Sequence, residues 1–332
     1  MYKLSIFKDK SICFYFLFVI LMIAVITNKK NLHIDETLTY GLSNDAEGWM
    51  LPESEKVYLP AASAWMEYLT VEDDRFDYRT VWNNQAEDVH PPLYYAIVHT
   101  VCSLFTGKFS VWYTGGINIL FAVLTLWIVR HLVNELTQSS EAAAWGMLVF
   151  VLSAGVLSGV SFFRMYIMTM FEVTFVTWLF IQMLKKGCNW KGLVAVSGIS
   201  IMGALTHYYF IVYLFFLSVA FGLYLLVHRN YKDVVLFITY MVVSGGISLW
   251  IFPSMIRHMF LEDGYRGQES INNLRRASLH EYLERLKIFY NFINEQLFGG
   301  TFIYIIMIIL FFAICGIICK RKELGGQRLC GY

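Results

Sequence analysis

The chain has 332 residues, 57% of them apolar and only 15% charged, with a mean hydropathy of +0.53. Soluble domains carry about a quarter charged residues, so this composition excludes an ordinary soluble fold and indicates an all-α polytopic membrane protein. A formal net charge of +1 with no basic block excludes a nucleic-acid footprint. The six cysteines imply no disulfide framework, and Cys315-x3-Cys319 inside an apolar run reads as packing.

In chain order, the first apolar run, 11–27, follows Lys3, Lys8 and Lys10 and is not followed by a small-x-small cleavage site. It reads as a retained signal anchor, with the N-terminus cytoplasmic. A segment rich in acids, Asn28–Pro92, comes next. It opens with His33-Ile34-Asp35-Glu36 and closes with Asp88-Val89-His90-Pro91-Pro92-Leu93-Tyr94-Tyr95, and its acids outnumber its bases more than two to one. The apolar stretch 93–105 would rise about 20 Å, short of a hydrocarbon core of about 30 Å. It is expected to lie in the interface, its start set by the two prolines.

Eight crossings are expected, at 11–29, 109–130, 142–160, 166–184, 192–206, 208–227, 233–252 and 301–319. With 93–105 kept out of the membrane, Lys3/Lys8/Lys10, Arg130, Lys185/Lys186/Lys191, Arg229/Lys232 and Lys320/Arg321/Lys322/Arg328 all fall on one side, as positive-inside topology requires. The expected organisation is an anchor (1–27), a first extracytoplasmic loop with an interfacial helix (28–108), a six-helix bundle (109–253), a second large outer loop (254–300), and a last crossing with a cytoplasmic tail (301–332). Within 254–300, Leu279, Leu283, Leu286 and Phe289 recur near helical spacing and predict an amphipathic helix over 278–289.

The residues fit for chemistry collect on the outer side. Asp35 and Glu36, just past the first crossing, are candidate catalytic carboxylates able to take a proton from a hydroxyl. Arg164 breaks the outward depletion of positive charge and so is expected to meet an anion, a phosphate being the natural match for a guanidinium. Glu172, about two turns inside a crossing, is expected to face a cavity or a partner. His207, with Tyr208 and Tyr209 in a tight outer turn, stands at the level of Arg164. Arg257, His258, Arg266, Arg275 and Arg276 give the second loop a basic character, from which Arg266 is taken as a phosphate ligand.

An anion-binding rim beside one carboxylate suits sugar transfer from a polyprenyl phosphate, because the leaving phosphate is already a stable anion and needs no acid to protonate it. Glycoside hydrolysis, by contrast, needs that acid. At His33-Ile34-Asp35-Glu36, at His90-Pro91-Pro92-Leu93-Tyr94-Tyr95, at Arg164-Met165-Tyr166 and at Leu205-Thr206-His207-Tyr208-Tyr209, the chain resembles the GT-C superfamily of membrane glycosyltransferases, especially its protein O-mannosyltransferase-like and aminoarabinose transferase-like members. The resemblance runs over roughly residues 1–300. It implies a polyprenyl-phosphate-sugar donor, an acceptor hydroxyl on a cell-envelope glycan, lipid or protein, inversion at the anomeric carbon on the extracytoplasmic face, and Asp35 as base. His90, Arg164, Tyr166, His207, Tyr208 and Arg266 are then the expected donor-binding residues. Some members use a divalent cation; Phe162 stands where an acidic ligand would be, so none is expected here. Members usually continue with further crossings or a soluble domain, so the chain is expected to be a shortened copy. The competing reading is a non-catalytic polyprenyl-lipid-binding or transport protein, although no internal repeat of the transporter kind is visible.

Overall fold

The computed structural model describes residues 12–45, 62–261, 278–298 and 300–311, with positions 272, 273, 276 and 314 besides. Every regular element among them is helical. The chain divides into two compact units, Met1–Gln268 and Glu269–Tyr332.

In the first unit, α1 (Ile12–Thr27) is apolar throughout and ends where Asn28-Lys29-Lys30 begins. A reciprocal cap starts α2 (Ile34–Asn44): the His33 ring accepts the Asp35 N–H at 3.2 Å, and the Glu36 carboxylate accepts the His33 N–H at 2.6 Å. Two acids in its first turn also suit the positive end of the helix dipole. Next come α3 (Ala62–Leu69) and α4 (Tyr78–Glu87), the latter capped by Asp77 on the N–H groups of Arg79 and Thr80. The fifth helix, α5 (Leu93–Ser103), begins directly after Pro91-Pro92.

Among the described residues, four helices are long and apolar enough to cross a membrane: α6 (Val111–Thr137), α9 (Tyr166–Lys186), α11 (Tyr208–Val227) and α12 (Tyr231–Ile251). A fifth crossing is obtained if α7 (Ser140–Val151) and α8 (Ala154–Ser161) count as one broken span. They meet at 51°, where the Ser153 hydroxyl accepts the Val156 N–H and restarts the helix. The expectation of eight crossings is thus corrected to four or five among the described residues. Two of the expected spans are too short, and the one at 301–319 lies partly outside the described residues. α1 and α10 (Trp190–Thr206) have 16 and 17 residues, a rise of about 24–26 Å against a core of about 30 Å.

The inter-helix ends at 110, 162–164, 207–208 and 251–258 all meet the layer formed by α2, α4 and α5. Tyr40 donates to the Ser110 carbonyl at 2.8 Å, Trp82 Nε1 to the Ile251 carbonyl at 3.1 Å, and Tyr208 pairs with His258 at 2.8 Å. At the opposite end Glu135 pairs with Lys185 at 3.3 Å and accepts from Gln182 at 2.7 Å. α5 belongs wholly to the layer: it is about 16 Å long, buries Tyr94, Tyr95, Val98 and Cys102, and ends where Arg75 Nε donates to the Ser103 carbonyl at 2.8 Å. A short α13 (Ser254–Ile256) runs into a π-helical turn, Arg257–Leu261.

In the second unit, α14 (Leu279–Phe298) extends the amphipathic segment expected at 278–289 and leaves Leu279, Leu283, Leu286 and Phe289 exposed. It is followed by α15 (Phe302–Phe311).

Candidate active site

The site is built around the turn between α8 and α9. Asn118 on α6 donates from Nδ2 to the carbonyls of Val160 and Phe162, both at 3.1 Å, and accepts from the Tyr94 hydroxyl at 3.0 Å. Glu36 Oε1 accepts the Phe163 N–H at 2.8 Å. The backbone just before Arg164 is therefore tied to α2 and α6, and through Asn118 to Tyr94 of α5; Arg164 itself is only 5% exposed.

Its guanidinium meets a backbone carbonyl, two hydroxyls and an imidazole. Nη1 donates to the Asp35 carbonyl (3.1 Å), the Thr39 hydroxyl (3.2 Å) and the Tyr95 hydroxyl (3.2 Å), while Nη2 lies 3.3 Å from His90 Nε2. Nε has no partner, and among the described residues no carboxylate pairs with this cation. Burial works against the charge, but Tyr95, Tyr166, Asp35 and Asp88 outweigh it and hold the Arg164 pKa above its ordinary value. The result is a charged, buried cation with no directly paired carboxylate among the described residues, an environment that favours an anion.

The two neighbouring acids divide. Glu36 is fully buried, and its oxygens take three donors: the N–H groups of His33 and Phe163, and Lys29 Nζ at 2.9 Å. It is the latch that holds α2 to the turn before α9. Asp35 gives its backbone carbonyl to Arg164, but its carboxylate is 42% exposed, with the His33 ring at 3.7 Å. Of the two carboxylates, Asp35's is therefore the accessible one, and Glu36's is committed to backbone and Lys29.

His90 is held from both sides, by Asp88 Oδ2 at 2.8 Å on Nδ1 and by Arg164 on Nε2. Asp88 is 6% exposed. Burial pushes its carboxyl up, but His90, the Val89 N–H and Arg164 together hold it below the usual carboxylate range. The His207 ring lies 6.0 Å from that of His90, and its Nδ1 accepts the Tyr209 N–H at 3.1 Å as the cap of α11. Burial, with His90 and Arg164 adding to it, pushes the His207 pKa down to about 4, so the ring is neutral at pH 7. Tyr166 is 42% exposed, stacks on Phe162 at 5.9 Å and lies tilted 5.7 Å from the His207 ring.

Not every candidate joins this group. Tyr208 turns to His258, and His258 and Arg257 both donate to the Ala86 carbonyl at the end of α4, so this trio ties the π turn to the layer. Arg266 and Arg275 lie outside the described residues. Arg276 is exposed in the second unit. Glu172 is fully buried one and a half turns below Tyr166, where Oε1 accepts from the Thr206 hydroxyl at 2.7 Å and Oε2 has no partner. Among the described residues, no three His, Cys, Asp or Glu side chains gather as a metal site.

Sequence reasoning passed over Thr39, Tyr95 and Asp88. Thr39 lies four residues after Asp35 and so shares its face of a helix, a signal visible once α2 is recognised. Asp88 lies two residues before His90 in the motif itself. The arrangement can bind an anion at Arg164 and can accept a proton at Asp35 on the open side. No protein-family model, curated protein or solved structure matches this chain.

Proposed function

We propose that this protein is an inverting glycosyltransferase that moves a sugar from a polyprenyl-phosphate donor to an acceptor hydroxyl at the extracytoplasmic face of a cell membrane. The observation that supports this reading is the buried Arg164 guanidinium, unpaired with any described carboxylate, beside the exposed carboxylate of Asp35. The acceptor oxygen attacks the anomeric carbon as the bond to the phosphate oxygen breaks. The acceptor proton passes to Asp35, and the electron pair leaves with the lipid phosphate, whose charge Arg164 neutralises as it develops. A cavity of about 430 Å³ between α10, α11 and α12, walled by Ala204, Leu214, Phe215, Met241 and Met255, offers apolar room for the donor's isoprenoid tail.

The test is transfer by the purified chain in lipid, against a panel of radiolabelled polyprenyl-phosphate sugars. Asp35→Asn is expected to lower donor consumption about 10²–10⁴-fold, the usual worth of a general base, while donor binding survives. Arg164→Ala is expected to lose both binding and turnover. Full activity in Asp35→Asn would remove the base. Donor binding without consumption in wild type would instead establish a lipid-binding protein.

A further inference from the structure

We infer that Asp88 is a positioning residue that sets the proton of His90 and, through it, the aim of Arg164; this rests on the reading of Arg164 as the phosphate site. The chain of contacts is direct. Asp88 Oδ2 lies 2.8 Å from His90 Nδ1, and His90 Nε2 lies 3.3 Å from Arg164 Nη2. A carboxylate is a pure acceptor and a guanidinium a pure donor. An imidazole standing between them satisfies both in one form only: neutral, with the proton on Nδ1 and the lone pair on Nε2. The other tautomer would set a lone pair against the carboxylate and an N–H against the guanidinium.

A consequence separates His90 from its expected role. With Nε2 committed as an acceptor, His90 has no proton to offer a phosphate. It is part of the cradle that aims the cation, along with the Asp35 carbonyl, Thr39 and Tyr95. Three of those four acceptors touch Nη1, and His90 is the described partner of Nη2. Losing its lone pair would free Nη2 and let the guanidinium plane turn. Among the described residues no hydrogen bond joins Asp88 to Arg164; beyond the Coulomb attraction the two charges share, its hold on the guanidinium's orientation travels through the imidazole. Outer partners of this kind usually matter by about 10–100-fold where they orient a charged ligand.

The experiment uses the full chain in lipid nanodiscs. The ¹⁵N shifts of the His90 ring, assigned by comparison with His90→Gln, report its tautomer. Binding of a long-chain polyprenyl monophosphate, the product common to every sugar donor of this class, reports the site. Wild type is expected to show Nδ1 protonated and Nε2 bare, and Asp88→Leu a mixture containing the Nε2-protonated form. Asp88→Leu is expected to weaken phosphate binding about tenfold. In the His90→Gln background the same change should cost less than about twofold, because a glutamine carbonyl accepts from Arg164 without needing Asp88; such non-additivity marks an indirect effect. An Nε2-protonated His90 in wild type, or an equal loss in both backgrounds, would overturn the inference. A locked Nδ1–H tautomer in a wild type that binds no polyprenyl phosphate would uphold the relay and overturn the functional reading instead.

Discussion

His207 stands at the joint of two apolar helices and does its first work as a cap, its Nδ1 accepting the Tyr209 N–H. That bond needs a bare nitrogen, and the buried setting next to His90 and Arg164 keeps it bare down to about pH 4. An unfolded histidine takes its proton near pH 6.5. Between those two values the unfolded chain holds more protons than the folded one, so stability falls as pH drops from about 6.5 to about 4 and has no slope from this group above 6.5. The loss is expected to reach at most about 3 kcal/mol. His207→Asn keeps a capping side chain and should flatten the decline, which thermal unfolding in detergent across that pH range would measure. An unchanged slope in the variant would remove His207 as its source.

The hairpin of α10 and α11 shows how tightly one element can be matched to the next. The chain reverses over His207 alone, which brings Phe210 onto Gly203. A Cβ at position 203 would meet the Phe210 ring at 2.3 Å, and that ring is fully buried and has nowhere to go. Gly203→Ala is therefore expected to destabilise the protein by about 1–3 kcal/mol through overpacking, even though alanine is the better helix former. Gly198→Ala, where nothing lies within 4 Å of the added atom, is the matched control and should be neutral or slightly stabilising. Apparent melting temperatures of the two variants decide the point; equal values would show that the hairpin opens to make room.

Viewed end to end, the first unit is polarised. Asp35, Glu36, Asp88, Arg164 and His207 stand at one end, while Arg130, Lys185, Lys186, Lys191, Arg229 and Lys232 lie towards the other. Positive residues in short loops face the cytoplasm, which would put the site outside. In a cysteine-depleted background, Asp73→Cys in the site layer is expected to react with a membrane-impermeant maleimide on intact cells. Ser140→Cys, at the opposite end, should react only after lysis. The reverse pattern would invert the topology and with it the face on which any donor lipid is used.

The membrane character, the apolar helices, the amphipathic segment from Leu279 and the cluster of Asp35, His90, Arg164 and His207 were all legible in the chain. Composition, periodicity and isolated charges in apolar surroundings are local properties, and a bilayer turns them into position along one axis. The helices α2, α3 and α4 were not legible, because elements of 8 to 11 residues carry too few turns for a period to stand out from a polar loop. Nor was the break at Ser153, where the run stays apolar and only geometry shows the 51° bend. The neighbours Asp35 and Glu36 look alike in the sequence. Which one is buried under Lys29 and Phe163, and which one stays open to take a proton, depends on the 100° turn of a helix against a chain segment about 127 residues away. Contacts of that range arise only when the whole bundle closes, so the tertiary structure alone decided which acid is buried and which stays exposed.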